Sequence, residues 1–325
     1  MRAPTGEQYE LVRTTPAGTA RAVITQLAAG IREFQIGGVD LVEPFPVTSS
    51  PQSAAGIVLS PWPNRVRGGK WRWAAADGTE QELQLALTEP ALGNASHGLL
   101  RFTAYELVDK GADFVELAAT IYPQSGYPFL VDTRVRYELS DDGLTVQHCF
   151  ANAGETDAPV AVGAHPYLRI GDVDTKELLL TVHATTHFEL DQQLIPVGQT
   201  PVDGTEFDLR TPRRVGDLEL NDGYADAGPG ELARLTAPDG ATLTLWGDDA
   251  FRFLQVYTHR SFATLPEGSV AIAIEPMTAP TDAFNSGLGV KRLAPHETWT
   301  VDWGVTYAPA PGTSPDTVSA GAALE

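Results

Sequence analysis

The chain has 325 residues, 42% of them apolar, and a formal charge of -20. That is enough apolar material for a sizeable core, which excludes global disorder. The negative charge argues against nucleic acid and anionic membranes as partners, and a single cysteine, Cys149, excludes an internal disulfide framework or a cysteine-based zinc cluster.

Residues 1–12, MRAPTGEQYELV, lack the continuous apolar run of a secretory signal. No stretch reaches the ~20 apolar residues that span a bilayer, so a cytoplasmic location is expected. From Phe114 onward the chain alternates apolar and polar residues in short runs: 114–122, 134–139, 144–150, 178–182, 241–246 and 299–307. A period of two is that of half-buried strands. Asp-Gly pairs at 77–78, 142–143, 203–204 and 239–240 fall between runs, and Asp-Gly favours tight hairpins because both residues tolerate positive φ. The cleanest predicted hairpin is 134–150. Cys149 lies in its second strand and reads as a buried small hydrophobe. His148 shares a face with Leu144, Val146 and Phe150 and reads as a core histidine. No run is long enough for a confident helix. The 31 glycines and 24 prolines are spread along the chain, as many short loops require. The expected fold is all-β, a large antiparallel β-sandwich in one domain over residues 1–308, followed by a disordered tail at 309–325.

Five polar clusters interrupt the strands. Ser60 to Trp71 holds Asn64, Arg65 and Arg67; the arginines either bind sugar hydroxyls or a carboxylate, or pair with surface acids. Gly93 to Gly98 carries His97 in a small-residue loop. Val162 to Leu168 carries His165 before Pro166, as either a catalytic acid or base or a satisfied core histidine. Leu220 to Tyr224 carries Asn221 and Asp222, a turn by default or a carboxylate aimed at hydroxyls. Gln255 and Tyr257 follow an apolar run and either line a pocket or fill strand positions. The stretch Ala271 to Gly287 then reads as a buried strand ending at Ile274, with Glu275 at the mouth of a proline-bounded loop. His183, His187 and His296 have no supporting context. No metal-binding spacing occurs, so no metal and no cofactor are expected.

Taken together, the strings Asn64 to Trp71, Ser96-His97-Gly98, Gly163 to Tyr167, Glu275 to Thr278 and Asp282 to Asn285 resemble the aldose 1-epimerase (galactose mutarotase) family, in family order. The resemblance implies the galactose mutarotase-like supersandwich, and interconversion of the α and β anomers of a free aldohexose such as galactose or glucose. It implies His165 as general acid and Glu275 as general base, with Asn64, Arg65, His97 and Gln255 as substrate contacts. The family carries an aspartate three residues before an aromatic in the fourth cluster. Counted from Tyr224 that place is Asn221, so Asp222, one residue later, is taken as the contact. Ring opening needs one base at the C1 hydroxyl and one acid at the ring oxygen, without metal or redox cofactor. The acid must be charged, so a raised pKa is expected for His165. Trp62, Tyr167 and Trp246 are candidates for the aromatic face beneath a sugar. The partner is then a small-molecule monosaccharide and the assembly a monomer or homodimer. The alternatives are a hexose-6-phosphate 1-epimerase, which needs a cationic cluster supplied by Arg65 and Arg67, or a non-catalytic sugar-binding protein.

Overall fold

The computed structural model describes residues 2–74 and 78–312. Within them strands carry nearly all the regular structure, and the α-helix is a four-residue turn, Ala283–Ser286. No helix of the described residues is long and apolar enough to cross a membrane. Most of the expected tail lies outside the described residues, as does Asp77 of the first Asp-Gly pair.

Two large antiparallel sheets dominate. A nine-stranded sheet runs from Glu106–Lys110 through Val131–Leu139, Gly143–Asn152 and Thr298–Ala308 to Arg213–Arg214. An eight-stranded sheet has at its centre Asn221–Ala225, Phe253–His259, Ala271–Met277 and Gly163–Ala164, in that order. Gln8–Thr15, Gly18–Thr25, Ile31–Ile36 and Val39–Asp40 form a separate four-stranded sheet.

Alternation explains how the sheets meet. In Val131–Leu139 every second residue is buried, so Val131, Thr133, Val135, Tyr137 and Leu139 face inward. Leu254, Val256, Ile272 and Ile274 of the second sheet join Val135, Tyr137, Val146 and Phe150 in one apolar cluster. The two inner faces therefore close on each other as a sandwich. The 134–150 hairpin forms as expected, with Leu139 opposite Leu144 across the Asp142-Gly143 turn. His148 is fully buried and its Nε2 accepts a hydrogen bond from Trp303 Nε1 at 3.0 Å. Cys149 corrects its expectation: it is half-buried, because the same alternation turns it to the face opposite His148.

The central strand Ala271–Met277 is buried on both faces. Ile272 and Ile274 enter the main core. Ala271 and Ala273 face the other way, into a second cluster with Phe45, Tyr167 and Phe262. Glu275 continues that outer row. The strand therefore runs three residues further than Ile274, and Glu275 sits inside it, paired with Gln255, rather than in a loop mouth.

Candidate active site

The face carrying Glu275 forms the floor of a cavity of about 470 Å3, within the usual range for small-molecule sites. Strand register decides what lines it. Gln255 is opposite Glu275, Tyr257 opposite Ala273, and Asn221 opposite Tyr257. All of these point to the same side, and Asn221, Gln255, Tyr257 and Glu275 all line the cavity. Asp222 does not. It lies opposite Val256, on the other side of the strand, and its Oδ1 meets His187 Nε2 at 2.8 Å. The expectation put Asp222 on the ligand side; the structure turns Asp222 away from the cavity and Asn221 toward it. A one-residue shift is easy in a loop, but Asn221–Ala225 is a strand, where one residue reverses the face.

The cavity wall is built by loops that clip onto this floor. Gly98 adopts φ +74, and a Cβ there would lie 2.0 Å from the Ser60 carbonyl oxygen, so the 96–98 loop packs against the 60–64 loop as only glycine permits. Asn64 and His97 both hold left-handed backbone, at φ 51 and φ 64, and the His97 N–H donates to the Asn64 carbonyl at 2.7 Å. Strain of this kind in residues other than glycine persists only where the surroundings enforce it. Asp282 supplies part of that enforcement: its N–H donates to the Arg65 carbonyl at 2.7 Å, and its Oδ1 accepts from the Arg67 N–H at 2.9 Å and from Asn285 Nδ2 at 2.8 Å. Thr278 bonds both backbone groups of Val162, just before the His165 strand. Several residues of the recurrent strings thus hold the site together without entering it.

A directional chain of amides crosses the floor. Arg65 Nη1 donates to Asn64 Oδ1 at 2.9 Å, Asn64 Nδ2 to Gln255 Oε1 at 3.1 Å, and Gln255 Nε2 to Asn221 Oδ1 at 2.9 Å. Asn64 and Gln255 are almost fully buried, so this chain fixes their orientation. Arg65 also grips both oxygens of Glu89, at 2.7 and 3.0 Å. Arg67 pairs with Asp191 at 2.8 Å and stays outside the cavity wall.

His165 and Glu275 are 5% and 2% exposed, with His165 Nε2 3.4 Å from Glu275 Oε1. The short strand Gly163–Ala164 delivers His165, whose N–H and carbonyl bond to Ile57 and Gly56. Tyr167 stacks on the His165 ring at 5.2 Å, and His97 meets it edge-on at 5.4 Å. Glu275 Oε2, His165 Nδ1 and His97 Nδ1 are enclosed without a hydrogen-bond partner. Of the expected aromatic faces only Tyr167 lines the cavity. Trp62 is buried against Phe284 at 5.5 Å, and Trp246 packs over Gly304.

The electrostatics correct a second expectation. Burial pushes the His165 imidazole down, to about 3, aided by the Arg101 and Arg65 charges. Burial pushes the Glu275 carboxyl up, to about 8, against the pull of Arg65. His97 is likewise held well below its ordinary value by burial and by His165 and the arginines. The acidic charge of the chain lies mostly on its screened surface and does not sustain a raised imidazole pKa inside. In the neutral range the His165–Glu275 pair therefore holds one proton, and that proton rests on the carboxyl.

Comparison with known proteins agrees with the architecture. The galactose 1-epimerase of Lactobacillus acidophilus NCFM superposes with a TM-score of 0.73 at 18% identity, covering 89% of this chain and 91% of that one. The GalM/aldose epimerase homologue of C. elegans gives 0.78 at 17% identity, covering 93% and 99%. In sequence, the uncharacterized protein YihR of Escherichia coli K12 is 30% identical over 279 residues, 85% of this chain and 87% of that protein. Human galactose mutarotase is 29% identical over 179 residues, and the match covers only 51% of this chain and 49% of that protein. The family model for aldose 1-epimerase matches residues 10–306, and the chain belongs to that family.

Proposed function

We propose that this protein interconverts the α and β anomers of an aldohexose by acid–base ring opening and reclosure. The observation that carries the reading is the buried His165–Glu275 pair, 3.4 Å apart on the floor of a polar cavity. Such a pair holds one movable proton, which is what mutarotation consumes and returns.

The chemistry follows from that proton. A C1 hydroxyl donating to the Glu275 carboxylate, and a ring oxygen accepting from His165, favour the ion-pair form of the two residues. Binding then draws the proton from carboxyl to imidazole. Ring opening returns it: Glu275 takes the C1–OH proton as His165 gives one to the ring oxygen. Rotation about C1–C2 and the reverse transfers close the ring on the other face. Asn64, Gln255, Asn221 and Arg65 are fixed donors and acceptors for hydroxyls, and His97 and Tyr167 hold the His165 ring in place. The test is exchange NMR or polarimetry on fresh α-glucose and α-galactose above the spontaneous rate, with Glu275→Gln as control. Binding without turnover would favour a sugar-binding protein instead.

A further inference from the structure

The side-chain amides on the cavity floor form a one-way chain, and its head sets the direction. A guanidinium can only donate, so Asn64 meets Arg65 with its oxygen. That turns the Asn64 nitrogen to the Gln255 oxygen, and the Gln255 nitrogen to the Asn221 oxygen. Each amide oxygen is thus engaged within the chain, and each amide nitrogen keeps a hydrogen beyond it. The chain ends on Asn221, whose Oδ1 accepts from Gln255 at 2.9 Å and whose Nδ2 bonds nothing among the described residues. Asn221 lines the cavity and is half-buried. Its strand holds it there: it lies opposite Tyr257, and its backbone N–H donates to Asp222 Oδ2 at 2.9 Å. This end of the floor therefore presents N–H donors. An aspartate in the same place would accept from Gln255 equally well, but would turn a second acceptor to the cavity.

Strand order says which part of a sugar meets those donors. Across the floor, His165 follows Gly163–Ala164, Glu275 lies on the next strand, Gln255 on the one after, and Asn221 on the fourth. Neighbouring strands are about 4.8 Å apart, so Asn221 stands beyond Glu275 as seen from His165. In the reaction proposed above, on which this inference rests, His165 serves the ring oxygen and Glu275 the C1 hydroxyl. The ring carbons that follow C1 away from that oxygen are C2 and C3. A hydroxyl there can accept from Asn221 through its oxygen. A protonated amine has hydrogens and no lone pair, so it sets a donor against a donor. Glu89, the other carboxylate of the cavity wall, has both oxygens held by Arg65 and does not compensate. We infer that Asn221 is a specificity-determining residue: it selects aldoses with a hydrogen-bond acceptor at C2 or C3 and excludes amino sugars substituted at that carbon.

The test is anomerisation of glucose and of its 2- and 3-deoxyfluoro and 2- and 3-aminodeoxy derivatives, at a pH where the amines are protonated, each corrected for its spontaneous rate. Fluorine is no larger than a hydroxyl and can accept but not donate. At one of the two carbons the wild-type protein should give a kcat/KM at least about 10-fold higher for the fluoro than for the amino sugar, the scale of one buried donor left unpaired. Asn221→Asp should lower that ratio at least about 10-fold at the same carbon, and Asn221→Ala should bring it to an intermediate value. A purely structural role for Asn221 would slow both sugars together and leave the ratio where it was. A wild-type protein without the preference at either carbon, or a ratio unmoved in both variants, overturns the inference while glucose turnover keeps the epimerase reading intact. A wild-type protein that anomerises neither glucose nor any derivative overturns the epimerase reading itself.

Discussion

Gln255 and Glu275 face each other directly across the adjacent strands Phe253–His259 and Ala271–Met277. The Gln255 amide is oriented by Asn64, which donates to its oxygen, and by Asn221, which accepts from its nitrogen. Those bonds turn it along the floor and leave the Glu275 Oε2 without a partner. A buried carboxyl oxygen without a partner is destabilising for the fold. It is also the acceptor that a ligand hydroxyl requires.

Replacing that carboxylate by an amide should separate binding from turnover. Glu275→Gln keeps the shape and hydrogen-bonding capacity of the site but cannot accept a proton. Loss of a positioned base typically costs 10²–10⁴-fold in rate. We expect kcat for anomerisation to fall by that factor, with the sugar dissociation constant from calorimetry within about 3-fold of wild type. A variant that keeps near-normal polarimetric rates would remove Glu275 from the chemistry.

The shared proton sets the pH dependence. Glu275 holds it up to about pH 8, and His165 takes up a second only near pH 3. These are properties of a coupled pair, so the rate should follow the number of protons the pair holds. With one proton the pair is competent; with none it has no acid. The kcat/KM profile should be level through the neutral range and fall about tenfold per pH unit above about 8. A rate that keeps climbing through pH 9 would show that the proton comes from elsewhere.

The same carboxyl should mark the stability curve. An unfolded glutamate ionises near its ordinary value of about 4.3, whereas folded Glu275 holds its proton to about 8. Between those values the native state binds a proton that the unfolded state does not. Stability from this group therefore falls as pH rises across that window. Glutamine does not titrate. The melting temperature of Glu275→Gln should exceed that of wild type by a margin that widens from pH 5 to pH 8, reaching several degrees. His165 works in the opposite sense below its ordinary pKa, so the difference between the two proteins, rather than either curve alone, is the measurement. A margin that stays constant would mean the carboxyl is not held protonated by the fold.

Much of this arrangement was legible in the chain, and the exceptions share a cause. Period-two alternation located the strands around Val135, Val146 and Val301, and the Asp142-Gly143 turn fixed their hairpin. Local strings led to Asn64, His97, His165, Gln255 and Glu275, which the structure brings to one cavity. What local pattern could not give was the direction of a side chain inside an unrecognised strand. Residues 220–224 read as a turn because Asn-Asp-Gly is turn-like; pairing of 221–224 with 254–257 makes Asn221–Ala225 a strand and sends Asp222 away from the cavity. The ionisation of His165 was also out of reach, because it depends on burial by segments distant in sequence. Arg101 carried no signal, since its place in the cavity wall is set by how the chain folds rather than by a local string.

The Asn221–Asp222 pair offers the sharpest test of that strand. Asn221 ends the amide chain and faces the cavity, while Asp222 faces His187, whose ring is sandwiched against Phe207 at 3.6 Å. Asp222 also accepts from the Asn221 N–H at 2.9 Å, which fixes the backbone beneath Asn221. Asn221→Ala removes a donor and acceptor for a hydroxyl and should raise KM about 10-fold with little change in stability. Asp222→Asn weakens a largely buried bond to His187 and should cost about 1–3 kcal/mol of stability, read as a lower melting temperature, while KM stays within about 3-fold. The reverse pattern, a KM effect at Asp222 and none at Asn221, would require the strand to pair one residue out of the register seen here. It would return Asp222 to the sugar and leave Asn221 facing the core.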